Sequence, residues 1–225
     1  MIFYVRGVVQ MIVTDCINEY FALIKERPEL FLESNIYRIV TDIDKIRKFE
    51  REHNKKIGVI YKSQFNTFVV DLVESEGGLL AYERVIPSAT GRGVVCIPII
   101  DGKILLLKQY RHGIRDFQLG FPRGFGENGL TSEENVKKEL FEEIGAKTID
   151  CRFIGSVTPD SGISGTRCDV FLARVESYDE SRNIEGIVDV IPMKPDILLQ
   201  KITAKEIDDS FTLSAFALLK SSMLL

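Results

Sequence analysis

The sequence predicts an α+β fold built around a mixed sheet, and three observations lead there. Short β-branched and aromatic runs dominate from residue 57 to about residue 192. Strand and helix patterns follow one another without regular βαβ alternation, which disfavours a doubly wound parallel sheet. One segment, residues 131–145, carries both the start and the stop signals of a helix in the midst of these strands.

Taken in order, the first stretch to about residue 57 reads as helical. Ile17, Phe21 and Ile24 recur at helical spacing until Pro28 breaks the pattern. A second helix is predicted from Thr41, which can cap it. Asp42 and Asp44 suit the positive helix N-terminus, and Ile43, Ile46 and Phe49 form the expected buried stripe. Strands follow at 59–61, 67–73, 80–85, 93–100 and 103–108. Asp101-Gly102 between the last two is the strongest hairpin signal in the chain. A strand near 117–121 leads into a glycine-rich loop and the helix at 131–145. Strands at 150–157, 168–175 and, more weakly, 187–192 precede a helical end from about Thr212.

With 225 residues, 45% hydrophobic and 28% charged, the chain can bury a sizeable core in one domain plus an extension. The division falls at an N-terminal extension of helices and short strands over 1–84 and a main domain over 85–225. A formal net charge of -4 argues against a nucleic-acid partner and leaves room for a local cationic pocket that takes a small phosphorylated ligand. Cys16, Cys96, Cys151 and Cys168 are scattered singly and read as reduced, buried thiols. Residues 1–13 are apolar but interrupted by Arg6 and Gln10, too short for a membrane span, and without a signal-peptide pattern. A cytoplasmic protein with no membrane partner is expected. The same residues would suit an interface element or a core element equally.

The chemistry concentrates in residues 121–146. Thr131, Ser132, Glu133 and Glu134 form a capping box, and Gly145 ends the helix. Val136, Leu140 and Ile144 recur every four residues and should face the core. Glu139, Glu142 and Glu143 then share a neighbouring stripe. Three like charges gathered there repel unless a partner offsets them, and a divalent cation that prefers hard oxygen ligands is the natural partner. For three glutamates alone, a solvated acidic face is the open alternative.

This segment resembles the box of the Nudix hydrolase family, G-x5-E-x7-R-E-U-x-E-E-x-G-U with U a bulky apolar residue. Gly124, Glu139, Leu140, Glu142, Glu143 and Gly145 stand where that pattern requires them. Leu130 replaces its first glutamate, Lys138 its arginine, and Ala146 is a small ending residue. In the family that glutamate and arginine brace the loop against the helix. The resemblance implies a Nudix α/β/α sandwich with a mixed sheet over 85–225. It also implies Glu139, Glu142 and Glu143 as both metal-binding and catalytic residues, with Mg2+, or Mn2+ in its place.

Lys108-Gln109-Tyr110-Arg111 further resembles the Q-Y-R signature of the ADP-ribose pyrophosphatase branch. Gly120 stands where that branch often carries a glutamate. Thr158-Pro159-Asp160-Ser161-Gly162 and the segment from Glu206 to Leu213 resemble its later loop and terminal helix entrance. The branch implies hydrolysis of a nucleoside diphosphate derivative, with ADP-ribose giving AMP and ribose 5-phosphate, and a homodimer built through the N-terminal extension. Nucleotide sugars, dinucleoside polyphosphates, or a catalytically idle nucleotide sensor or binding module stay open.

Arg111 and Arg123 flank the glycine-rich loop and are expected at substrate phosphate. Tyr110 and Phe125 could stack on a base or ribose. The general base is either Glu143 or one of Glu176, Glu180 and Glu185. Glu127 could supplement the site, and His53 and His112 read as surface residues.

Overall fold

The computed structural model describes residues 15–32, 34–179, 181 and 184–223. Residues 1–13 and Glu180, both named above, lie outside them. The chain forms two compact units that meet between Ser88 and Ala89.

In the first unit, α1 (Cys16–Glu26) is capped by Asp15, whose carboxylate accepts from the Ile17 amide at 3.2 Å. Its buried stripe is Ile17, Tyr20 and Leu23, while Phe21 and Ile24 are only half-buried. The sequence pattern missed this rotation because Tyr20 is drawn inward by a polar contact: its hydroxyl donates to the buried Asp71. Burial, then the Asp71 charge, pushes the Tyr20 phenol well above its ordinary value, so it remains a donor. Arg84 closes this network, donating to Asp71 at 2.5 Å and to the Leu30 carbonyl at 2.7 Å. A 3₁₀ turn at Pro28–Leu30 and the short β1 (Arg38–Ile39) follow.

Asp42, not Thr41, caps α2 (Ile43–His53), accepting from the Lys45 amide at 3.0 Å. Ile43 is therefore the first helical residue and is 52% exposed, leaving Ile46 and Phe49 as the apolar stripe. β2 (Gly58–Lys62), β3 (Asn66–Ser75) and β4 (Gly78–Pro87) complete an antiparallel sheet. β4 pairs along the whole length of β3, and β1 and β2 pair with its two ends.

The second unit opens with β5 (Gly93–Ile100) and β6 (Lys103–Arg111). The Asp101-Gly102 turn joins them with φ of 49° and 70°, the left-handed pair that a two-residue hairpin needs. β7 (Asp116–Gly120), β8 (Arg123–Gly124), α3 (Ser132–Ile144), β9 (Lys147–Val157), β10 (Cys168–Ser177), β11 (Ile187–Met193), α4 (Pro195–Thr203) and α5 (Ser210–Ser221) follow. The sheet runs β11-β6-β5-β10-β9, with β7 on β6 and β8 on β5. Only the β5–β10 pair is parallel among these described strands, so the sheet is mixed, as predicted.

Strand alternation sends Val94, Cys96, Leu105 and Leu107 to one face, where they pack with Val136, Leu140 and Ile144 of α3. It sends Val95, Ile97, Ile104 and Leu106 to the other, against Leu198 of α4 and Ala215, Phe216 and Leu219 of α5. Burial on both faces explains why these strands read as continuous apolar runs. The result is the expected α/β/α sandwich. Two elements of the second unit were not visible in sequence: β8, read as loop, and α4, although Pro195 at its first turn is a start signal; in the first unit β1 falls in a stretch read as helical. No helix among the described residues is long and apolar enough to cross a membrane.

Candidate active site

Helix α3 supplies the acidic groups, and its core contacts set their direction. The capping box forms as read, with Thr131 accepting from the Glu134 amide at 3.2 Å and Glu134 accepting from the Thr131 amide at 2.8 Å. With Val136, Leu140 and Ile144 fully buried, Glu139 and Glu143 turn toward the glycine-rich loop and Glu142 lies on the exposed flank. Glu143 is 5% exposed and accepts from the Arg123 amide at 3.1 Å. Glu139 is half-buried and has no hydrogen bond or ion pair among the described residues. Gly124 lies against it, and a Cβ at that position would collide with the Glu139 carboxylate. This contact gives a physical reason for glycine at the head of the box.

Burial pushes the Glu143 carboxyl up to about 8, and the Glu139 charge adds to the effect. Glu139 is pushed up to about 7, again first by burial; Lys138 opposes the rise while Glu142, Glu127 and Glu185 reinforce it. Among the described residues, no three His, Cys, Asp or Glu side chains stand close enough to hold a metal ion as they are. Glu139 and Glu143 are nevertheless hard oxygen donors that repel one another without a neutralising cation between them. That donor set fits Mg2+ or Mn2+.

Glu142 is engaged elsewhere. Lys138 donates to it at 2.8 Å and to Glu127 in the loop at 2.6 Å. The two carboxylates hold the Lys138 ammonium above its ordinary value. The altered residues of the box thus have a structural counterpart, in which the loop acid sits at Glu127 instead of position 130. Because all three side chains are about a third or more exposed, Lys138→Met should change stability by less than about 1 kcal/mol in a urea titration. Lys138→Arg, which can keep both contacts, should lie closer to the parent; a loss above about 2 kcal/mol in Lys138→Met would show that this pair carries the loop.

Other contacts also hold the loop. The buried Asn135 donates from Nδ2 to the Phe125 carbonyl at 2.8 Å. Thr90 donates from its amide and hydroxyl to Asn128 Oδ1 at 3.0 and 2.5 Å. At the entrance of α3, the buried Asp169 accepts from Ser132 at 2.9 Å, Ser156 at 2.8 Å and Arg92 at 2.6 Å.

The two expected phosphate ligands differ. Arg123 is committed: its guanidinium donates to Asp209 at 2.6 Å and lies 4.5 Å from the centre of the Phe211 ring. The Arg111 side chain is half-buried and makes no hydrogen bond or ion pair among the described residues. Burial, then the Arg123 cation, lowers it from its ordinary value, while Asp209, Glu143 and Glu185 pull the other way. It remains a cation.

Tyr110 is not brought to these carboxylates. Alternation along β6 turns it to the opposite face, where it meets Phe117 edge-on at 5.5 Å, with Lys108 over the same Phe117 ring. Of the later glutamates, Glu176 pairs with Lys147 at 2.5 Å, whereas Glu185 lies near enough to act electrostatically on Glu139, Glu143 and Arg111. His53 stacks on Phe49 at 4.1 Å, and His112 lies beside Arg115. The roles of Lys138, Asn135 and Asp209 were missed in sequence. Only Asp209, three residues before Thr212, carried a signal, that of a helix cap.

A sandwich of this kind, with acidic groups on one helix facing a glycine-rich loop, defines the Nudix class. The NUDIX domain matches residues 89–212, and the chain belongs to that family. It is 30% identical to the ADP compounds hydrolase NudE of Escherichia coli (strain K12) over 122 residues, which cover 54% of this chain and 63% of that protein. It is 25% identical to the Methanol dehydrogenase activator of Bacillus methanolicus over 171 residues, 75% of this chain and 92% of that protein. A crystal structure of an ADP compounds hydrolase shares the fold, with a TM-score of 0.65 at 19% identity over 75% of this chain and 91% of that one.

Proposed function

We propose that this protein is a metal-dependent Nudix hydrolase that cleaves the diphosphate of an ADP compound, with ADP-ribose as the first candidate and AMP and ribose 5-phosphate as its products. The observation that carries the reading is a carboxylate pair, Glu139 and Glu143, with no ion-pair partner among the described residues, beside Arg111, a cation that likewise has none among them. The named activity of the Escherichia coli relative supports the substrate class.

In this reading Glu139 and Glu143 hold Mg2+ or Mn2+, and Glu142 joins them by leaving Lys138. A divalent cation bound there supplies neutralisation of the diphosphate oxygens and activation of the attacking water. Arg111 draws the diphosphate to the site through charge-assisted hydrogen bonds and offsets charge on the leaving phosphate. Arg123 acts through its backbone, orienting Glu143 by its amide, while its side chain anchors α5. Glu143 is taken up by the cation in this reading, Glu176 pairs with Lys147 and Glu180 lies outside the described residues; proton acceptance from the attacking water is assigned to Glu185, which acts electrostatically on Glu139, Glu143 and Arg111. Tyr110 and Phe117 offer an exposed aromatic pair for the nucleoside end of a substrate that reaches around the sheet edge. A homodimer belongs to the same reading. Its N-terminal unit exposes Leu79 and Leu80 on β4, a strand paired only with β3 among the described residues.

A second reading, a nucleotide-binding module without turnover, is favoured by one observation: Lys138 places a cation on Glu142. A coupled phosphatase assay separates the two. ADP-ribose, nucleotide sugars and dinucleoside polyphosphates are offered with Mg2+, with Mn2+ and with chelator, on protein whose mass is fixed by light scattering. Phosphate release from ADP-ribose that chelator abolishes is the expected result. Release from another class alone reassigns the substrate. Silence across the panel, with ADP-ribose still raising Tm, selects the binding module.

A further inference from the structure

We propose that Gln109 is a positioning residue that sets Glu185 at the site by fixing the backbone of its turn. The inference rests on the assignment of Glu185 as proton acceptor and adds the residue that holds it there. Gln109 is 5% exposed on β6, two residues before Arg111 and on the same face of the strand. Its Nε2 donates to the Glu185 carbonyl at 2.8 Å, across 76 residues of sequence. Its Oε1 is buried and has no hydrogen-bond partner among the described residues. Leu107, two residues before it on the same face, and Ile187, its partner on β11, are buried and apolar, so a hydrocarbon of the same length would suit the strand better. What the amide contributes in that setting is one donor, and it is aimed at the turn.

The turn needs it. Glu185 has φ of 50° and Gly186 has φ of 79°, two successive left-handed residues, the first of them not glycine. Three consecutive carbonyls in this turn are held by three different donors. Ile184 accepts from the Ile187 amide at 2.8 Å, and Gly186 accepts from the Tyr110 amide at 2.9 Å. Glu185, between them, accepts from the Gln109 side chain. Fixing that peptide plane fixes the direction in which the Glu185 side chain leaves the backbone. The carboxylate then stays within electrostatic reach of Glu139, Glu143 and Arg111. Gln109 and Tyr110 thereby tie the turn to the same strand end that carries Arg111.

Gln109→Met keeps the length and removes the donor. It should lower kcat for ADP-ribose by about 10- to 100-fold and leave KM within about threefold, because the proton-accepting carboxylate is misplaced while the substrate contacts remain. Glu185→Gln should lower kcat by about 10²- to 10⁴-fold. In the Glu185→Gln background Gln109→Met should add nothing, as expected of residues that act as one unit. Amide hydrogen exchange at residues 184–187 should quicken in Gln109→Met, a readout that needs no substrate. Gly186→Ala is the second variant should Gln109→Met fail to fold. Its methyl would meet the Tyr110 carbonyl at 3.1 Å in a left-handed conformation, disturbing the same turn, and it should show the same kcat loss. Unchanged kcat, a loss confined to KM, or an equal loss with and without Glu185 would overturn the inference. Parent-like turnover in Glu185→Gln would instead overturn the assignment of Glu185, and the exchange measurement would still decide whether Gln109 holds the turn.

Discussion

Glu143→Gln is expected to lower turnover by about 10²-fold or more, while the metal-free protein becomes at least as stable as the parent at pH 8. The two effects share one cause. Burial and the Glu139 charge hold the Glu143 carboxyl up to about 8 from an ordinary 4.5, and Glu139 up to about 7. Between about pH 4.5 and pH 8 the folded metal-free protein therefore binds more protons than the unfolded chain, and stability falls as pH rises. At about 1.4 kcal/mol per pKa unit, and discounted for the solvent that screens the half-buried Glu139 and for the coupling of the two groups, the pair costs on the order of a few kcal/mol once both are ionised. Glutamine carries no charge to bury and removes its share of that cost. A Mg2+ or Mn2+ ion held as proposed would remove it by supplying the missing countercharge, so the rise in Tm on adding metal should be larger at pH 8 than at pH 6 in the parent and mostly absent in the variant. Thermal scans of both proteins at the two pH values, with and without metal, check this. Identical pH slopes in parent and variant would remove the carboxylate pair from the account.

Asp209→Ala should destabilise the protein by about 3–5 kcal/mol, since it strips the partner from a buried charge. The side chains of Arg123 and Asp209 are 19% and 6% exposed and their ion pair measures 2.6 Å. Burial opposes ionisation of Asp209, yet Arg123 and Thr212 together hold its carboxyl below the ordinary value. The same carboxylate caps α5, accepting from the Thr212 amide at 2.9 Å and hydroxyl at 2.7 Å, and Thr212 in turn accepts from the Phe121 amide at 3.0 Å. Asp209→Asn, which can keep the cap and loses the charge, should fall between parent and alanine. Urea unfolding of the three proteins makes the comparison, and an alanine variant within about 1 kcal/mol of the parent would show that Arg123 finds another partner. This arrangement also accounts for Gly120. A Cβ there would lie 3.2 Å from Thr212 Oγ1 and 3.3 Å from Asp209 Oδ2, and a carboxylate would add a like charge beside Asp209.

β5, β6 and β10 were legible because they bury both faces, and α3 was legible because its cap, its apolar spacing and Gly145 all agree. Thr41 and Asp42 are both good caps, and only the backbone at Asp42, with φ of -72° and ψ of 113°, decides between them. α4 buries Leu198 alone, too little for an amphipathic pattern to stand out. In the site, helical spacing placed Glu139 and Glu143 correctly on one flank. It could not show that Glu142 turns to Lys138, nor that Glu127 reaches the same ammonium from the loop. Gln109 with Glu185 and Arg123 with Asp209 lie 76 and 86 residues apart, and neither residue type at either position announces a partner. Local rules see a residue's own helix or strand; these contacts are made by the fold.

The approach of Gly91 to Gly126 bears on how this site can be changed or transplanted. A side chain on Gly126 would run into the Gly91 carbonyl, and one on Gly91 would come within 2.9 Å of the Glu127 carbonyl. With Thr90 fastened to Asn128 alongside, the two backbones form a joint with no clearance. The smallest portable cassette is therefore the loop and α3 together with residues 90–93. A chimera that exchanges residues 124–145 alone inherits a mismatch at this seam, and insertions between Ser88 and Thr90 should be tolerated far better than any between Thr90 and Gly93.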